Sequence, residues 1–207
     1  IEVHRSMPDQ ICHMLEQKLG ISSPMIYRLD QPVGMADMMQ VLSLNRPDLK
    51  DIPFVLLVPP IIADGRDIFA GIKKEDILLF LPYDSFSPVV NFIRQAAHDP
   101  DVLAIKSTLY RTGANSPVVA ALMEARENGK AVAALIELKA RFDEENNIGW
   151  ARQLERAGVH VVYGIVGLKV HAKLCMVIRR EKDGIRRYLH LGTGNYNATS
   201  SRVYTDF

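Results

Sequence analysis

The stretch that decides the fold is 102-VLAIKSTLY-110, 116-SPVVAALMEARENG-129, 132-VAALIEL-138, 147-NIGWARQLERAG-158 and 159-VHVVY-163. Short apolar runs rich in β-branched residues alternate with longer segments of helical period. Ser116-Pro117 opens one such helix, with Ser as the cap and Pro in the first turn. Gly129 and Gly158 close two of them. Strands separated by helices predict a largely parallel sheet in an α/β fold, covered by helices on both faces. Working outward, Ile77–Leu81 (ILLFL) reads as a further buried strand. A helix follows it, capped by Ser85 or Ser87 and running VVNFIRQAAH. Ala172–Arg179 and Arg187–Leu191 flank Lys182-Asp183-Gly184, the signature of a hairpin.

Residues 1 to about 57 differ in character. They hold two expected helices, Pro8–Leu19 and Met35–Leu44, among polar loops with Pro24, Pro32 and the segment NRPDLKDIP (45–53). Ser6 is a candidate N-cap for the first, and Gly20 its terminating glycine. Two such helices bury too little to stand alone. The beginning IEVHRSMPDQ has neither an initiator Met nor the apolar core of a signal peptide. The chain is therefore expected to be a piece of a longer polypeptide.

The chain of 207 residues is 48% hydrophobic and 24% charged, the balance of a globular protein. No apolar run approaches the roughly 20 residues that cross a bilayer. A net charge of +1 argues against a nucleic-acid binder, so any anion site must come from a local cluster of cations. Cys12 and Cys175 fit no metal spacing and read as reduced thiols in a cytoplasmic protein, with Cys175 buried.

Ligands of open α/β sheets bind beyond the carboxyl ends of the strands. Those ends carry Tyr110-Arg111, then Lys139-Ala140-Arg141 with Asp143, Glu144 and Glu145, then Gly164 and Gly167 leading to Lys169, His171 and Lys173. The last strand ends in His190-Leu191-Gly192-Thr193-Gly194-Asn195. Any one of these cations would ordinarily be a solvated surface residue. Their recurrence at equivalent positions is the composition of a phosphate crevice. On a strand, His171 and Lys173 share a face and can reach one ligand. His160 is expected to pack inside its strand and His190 to support the turn that follows it. His4, His13 and His98 read as surface residues.

His171-x-Lys173 with downstream Gly192-Thr193-Gly194-Asn195 resembles the histidine-lysine phosphodiesterases of the phospholipase D superfamily. It departs at Ile178, where that superfamily carries an acid. A closer resemblance covers residues 76 to 207. It runs through Pro82-Tyr83-Asp84, Leu109-Tyr110-Arg111, Glu137-Leu138-Lys139-Ala140-Arg141-Phe142-Asp143, Lys169-Val170-His171-Ala172-Lys173 and Gly192-Thr193-Gly194-Asn195-Tyr196-Asn197. In order and spacing these resemble the bacterial polyphosphate kinases, except that Phe80-Leu81 stands where that family usually has a His before Pro-Tyr.

The resemblance implies a phospholipase D-like mixed sheet with helices on both faces over residues 58–207, the first catalytic domain, truncated at its C-terminus. Residues 1–57 would be the tail of a truncated helical head domain. It implies an ATP:polyphosphate phosphotransferase that works through a phosphohistidine on His171. Arg111, Arg141, Lys173 and Asn195 would bind phosphate and Tyr204 the nucleotide. The partners would be ATP or ADP and inorganic polyphosphate, with Mg²⁺ as cofactor, a homo-oligomer as the full-length form and the cytoplasm as location. The family associates Mg²⁺ with the positions of Arg111 and Arg141. Guanidinium has no lone pair to give, so a phosphate shared between arginines and metal is the expected geometry, and Asp143, Glu144 and Glu145 are better ligand types. The same acids also suit the N-terminus of the following helix. Two other readings use the same crevice: a phosphodiesterase or phospholipid transferase, and a non-catalytic polyanion-binding domain. Only one H-x-K is present, so either catalytic reading implies a second half that completes the site.

Overall fold

A computed structural model describes residues 1–52, 54–63, 65–139, 144–165 and 167–207. The chain forms two compact units, Ile1–Pro53 and Phe54–Phe207. In the first, β1 (Glu2–His4) pairs in parallel with β2 (Tyr27–Leu29) around helix α1 (Asp9–Leu19). Pro8, not Ser6, occupies the N-cap of α1, and Ser6 bonds the His4 ring instead. Gly20 ends the helix in the left-handed region, as expected. Arg28 fastens the N-terminal end of α1 by donating to the carbonyls of Arg5 and Met7 and to the Asp9 carboxylate. The second expected helix forms as a 3₁₀ winding, Met35–Ser43, with every residue exposed. Short helices are marginal in water without a packed face, and the apolar residues of this segment, Met38, Met39, Val41 and Leu42 among them, stay exposed.

The second unit contains α2 (Ile68–Lys74), α3 (Ser87–His98), β3 (Val102–Leu109), α4 (Pro117–Glu127), β4 (Ala131–Ile136), α5 (Glu144–Arg156), β5 (His160–Tyr163), β6 (Lys173–Glu181) and β7 (Gly184–Gly192). The five strands form one sheet in the order β5-β4-β3-β6-β7. The first three are parallel, and the β6–β7 hairpin joins β3 antiparallel, so the sheet is mixed. Ser116 Oγ accepts from the Val119 amide at the start of α4, the cap read from the sequence.

Burial alternates along the strands with period two. Ile105, Leu109, Val132, Ala134, Ile136, Cys175, Val177 and Tyr188 form one covered face. Helices α2 to α5 all contribute to the cluster on that face, where Phe69 of α2 meets the Tyr188 ring edge-on at 4.9 Å. The opposite face, with Leu174, Met176, Leu189 and Leu191, carries no helix among the described residues, so the expected helical cover on both faces is found on one only, where all of α2 to α5 pack into a single core. An ionic cluster locks α2 and the turn before β3 to the hairpin. Arg179 donates to Asp99 at 2.8 Å and to Glu181 at 2.6 Å, and Lys73 donates to Glu181 at 2.9 Å.

Further expectations are corrected. Residues 77–81 form no strand: among the described residues, only Leu81 of the run exchanges backbone bonds with another segment, at Asp206. Ile77 and Leu79 pack inward while Leu78 is 73% exposed, so the apolar run is a strap along the core. His160 is exposed, because β5 is an edge strand and its residue opposite Ala133 faces the open side. Short helix α2, capped by Asp67, had no counterpart in the sequence reading. Among the described residues no helix is long and apolar enough to cross a membrane.

Candidate active site

The antiparallel insertion of β6 beside β3 decides where the chemistry sits. It brings the start of β6 to the carboxyl end of β3, with Ser107 opposite Cys175. The carboxyl end of β7 returns to the same edge, with Gly192 opposite Lys173. His171 and Lys173 therefore meet Arg111 from β3 and the Gly192–Asn195 turn from β7. Arg111, His171, Lys173, Asn195, Tyr204 and Asp206 line one cavity of about 580 Å³. Of the site residues expected from sequence, five are thus brought together. Arg141 and Asp143 lie outside the described residues. Glu144 and Glu145 occupy the first turn of α5 and are exposed, the placement favoured by the helix dipole.

His171 is exposed. Lys173 is only 7% exposed, and its Nζ lies 3.0 Å from His171 Nδ1 and 3.1 Å from Nε2. A neutral imidazole offers one nitrogen lone pair, its other nitrogen carrying N–H, so the ammonium can donate to only one of the two. Lys173 acts as a charge held beside the ring. Desolvation, then the charges of Lys173, Lys169 and Arg111, hold the imidazole below its ordinary pKa. All of these effects favour the neutral imidazole. Burial likewise lowers Lys173.

The backbone around His171 is pinned from both sides. Thr108 Oγ1 donates to the Ala172 carbonyl at 2.6 Å and accepts from the Leu174 amide at 3.0 Å, so β3 grips β6 on either side of Lys173. Glu137, 4% exposed at the exit of β4, accepts from the Lys139 amide at 2.9 Å and from the Val170 amide at 2.8 Å. Those two bonds keep its carboxyl below the usual carboxylate range. Arg111 adopts φ +52°, a left-handed conformation rare outside glycine. Asn197 donates to the Arg111 carbonyl at 3.0 Å, and Gly113 is needed beside it because a side chain there would strike Asn197 Nδ2. Gly194 has a similar duty: a side chain at that position would collide with Asp206. Asp206 also accepts from Thr193 Oγ1 at 2.8 Å.

Glu137, Thr108, Asn197 and Asp206 were given no role from sequence. The signal available was their place inside or beside the strand-exit motifs. What those side chains bond could not be read from it. His190 is the supporting residue expected: its Nδ1 lies 2.8 Å from the Tyr196 hydroxyl, and burial lowers its pKa to about 4.

The oxygen donors suit a metal carried by phosphates more than one caged by protein. Magnesium takes oxygen ligands and keeps several waters, using one or two carboxylates together with phosphates. Among the described lining residues Asp206 is the one carboxylate, and Asn195 Oδ1 is buried with no hydrogen-bond partner. No group of three or more His, Cys, Asp or Glu able to hold an ion occurs among the described residues.

Comparison with known proteins agrees with this architecture. Residues 67–207 match the family model described as polyphosphate kinase C-terminal domain 1. Over 207 residues the chain is 54% identical to polyphosphate kinase 1 of Chlorobaculum tepidum and 54% identical to polyphosphate kinase of Prosthecochloris aestuarii. All of this chain is matched in both cases, but it spans only 30% and 29% of those relatives. The crystal structure of polyphosphate kinase from Porphyromonas gingivalis superposes with a TM-score of 0.74 at 33% identity, covering 97% of this chain and 32% of that one. A chain matched over its whole length by such relatives, with its strand-exit motifs gathered at one sheet edge, belongs to the polyphosphate kinase family.

Proposed function

We propose that the protein containing this chain reversibly transfers the terminal phosphoryl group of ATP to inorganic polyphosphate through a phosphohistidine on His171. The observation that carries this reading is the exposed His171 ring beside buried Lys173, in a cavity shared with Arg111 and Asn195. In the forward direction an imidazole nitrogen attacks the terminal phosphorus, a P–N bond forms, and the P–O bond to departing ADP breaks. A terminal oxygen of polyphosphate then attacks the same phosphorus, and the P–N bond breaks to leave the chain one unit longer. Covalent transfer of this kind replaces one difficult step by two.

The chain's own task is to hold a dense anion and to match charge on its equatorial oxygens. Arg111 supplies a planar fork of donors and Lys173 a point charge. Asn195 Nδ2 suits a phosphate oxygen, while its unpartnered Oδ1 suits a donor or a metal-bound water. Exposed Tyr204 on the cavity wall offers a face for the nucleotide. Magnesium, when bound with the nucleotide phosphates, would supply further charge neutralisation. The phosphodiesterase reading gains no support, since Ile178 lies along β6 opposite Ala104 and Arg187 and brings no acid to the cavity.

The test uses full-length protein and radiolabelled ATP. Label from the terminal phosphate should enter the protein in an acid-labile, base-stable form, and His171→Ala should abolish it. An acid-labile adduct that persists in His171→Ala would sink the assignment. Tight polyphosphate binding without any adduct in the wild type would favour the non-catalytic reading.

A further inference from the structure

Three cations crowd the ring of one buried side chain that the phosphoryl-transfer chemistry does not itself use. Tyr110, 7% exposed, meets the His171 imidazole edge-on with ring centroids 5.1 Å apart. Lys169 Nζ, Arg111 Cζ and Lys173 Nζ lie 5.3, 5.4 and 5.8 Å from the Tyr110 ring centroid. Like charges gathered this closely repel, and an exposed lysine such as Lys169 would ordinarily extend into water. Something must offset that tendency. An aromatic ring attracts cations through its quadrupole, and the phenol oxygen adds lone pairs. Lys169 and Arg111 also act on the Tyr110 phenol, whose pKa they lower.

We propose that Tyr110 is a positioning residue of the site: its ring backs the His171 imidazole, and its hydroxyl holds Lys169 and Arg111 beside it. The role is double. It limits the orientations open to the nucleophilic ring, and it keeps positive charge where an incoming phosphoryl group arrives. It builds on the phosphoryl-transfer reading of His171, although the geometry around Tyr110 stands without it. The state of the phenol is consistent. Burial alone would raise its pKa, yet Lys169 and Arg111 leave it below the ordinary value.

The charged and titratable groups facing His171 are few among the described residues. Tyr110 and Arg111 come from the β3 exit, Lys169 and Lys173 flank the histidine, Glu137 reaches the adjacent Val170 amide, and Asp206 shares the cavity. Lys169 and Arg111 both depress the imidazole pKa, so releasing them must raise it.

The experiment measures carbethoxylation of His171 by diethyl pyrocarbonate in the full-length protein, followed by peptide mass mapping across pH. The reagent attacks neutral imidazole, so the rate traces the His171 titration without any ATP. Tyr110→Phe keeps the ring and removes only the hydroxyl. Its acid limb should move upward, toward the ordinary histidine value. Lys169→Gln should shift the limb in the same direction, and the double variant should shift it by less than the sum, because both changes remove one arrangement. A Tyr110→Phe profile that coincides with wild type would overturn the proposal, as would strictly additive shifts. Should the wild type form no phosphohistidine, the function proposed above fails, while the carbethoxylation profiles still decide the role of Tyr110.

Discussion

Glu137→Gln isolates the latch that holds the loop before His171. The two carboxylate oxygens of Glu137 have separate duties: one accepts from the Lys139 amide at 2.9 Å, the other from the Val170 amide at 2.8 Å. Glutamine is nearly isosteric but has a single acceptor oxygen. Whichever way the amide turns, one backbone N–H faces an NH₂ group and loses its partner, at a cost of about 1–3 kcal/mol. The surviving bond falls from charge-assisted to neutral, which removes about 1 kcal/mol more. A total of roughly 2–4 kcal/mol corresponds to a roughly 30- to 700-fold greater population of the unlatched loop. Amide hydrogen exchange on the full-length protein reads this directly, in the peptide spanning Val170 and His171. Exchange there should quicken by that factor in Glu137→Gln at neutral pH, while α4 and β7 keep their protection. The sign with pH follows from the lowered pKa of Glu137. The latch is fully present above the unfolded carboxylate value of about 4.3 and weakens as pH falls through the lowered folded value. Wild-type exchange should therefore rise in acid toward that of the variant. Exchange in Glu137→Gln within about twofold of wild type at pH 7 would refute the argument.

Other outcomes follow from the same geometry. Arg111→Lys keeps the charge but removes the planar fork, so phosphoryl transfer should fall by roughly 100- to 1,000-fold while the thermal midpoint stays in place. Excess Mg²⁺ should not rescue it, and near-wild-type transfer would remove Arg111 from the site. The Glu181 carboxyl, bonded by Tyr188, Lys73 and Arg179, is held down at about 2. Because its folded pKa is depressed, its contribution is present above the unfolded value and is lost as pH falls from about 4.3 to about 2. Protection of β6 and β7 against exchange should decline over that window in wild type and be flatter in Glu181→Gln; parallel declines would count against the cluster.

The elements most legible in the sequence were those whose signals are local. The Ser116-Pro117 start of α4, the glycine stops after α1, α4 and α5, and the hairpin around Lys182-Asp183-Gly184 each depend on residues within a few positions. Period-two and period-3.6 patterns record which side of an element is buried. The expected site residues could be listed because the carboxyl ends of strands are where such sheets bind ligands, and the motifs sat there. The same local reasoning failed for residues 77–81 and for Met35–Ser43. An apolar run becomes a strand only if a neighbour offers a ladder, and a helical pattern holds only if its face is buried.

Local residue patterns thus specify the alternating strands and helices, most of their caps and turns, and the set of cations and glycines at the strand exits. Only the tertiary structure decided that these exits converge, since that depends on β6 entering antiparallel beside β3. It also decided which side chains brace the site. Glu137 reaches Val170 across 33 positions, Thr108 reaches Ala172 across 64, and Asn197 reaches Arg111 across 86. Hydrogen bonds at such separations are set by the register of strands distant in the chain, and no local pattern of residues encodes that register.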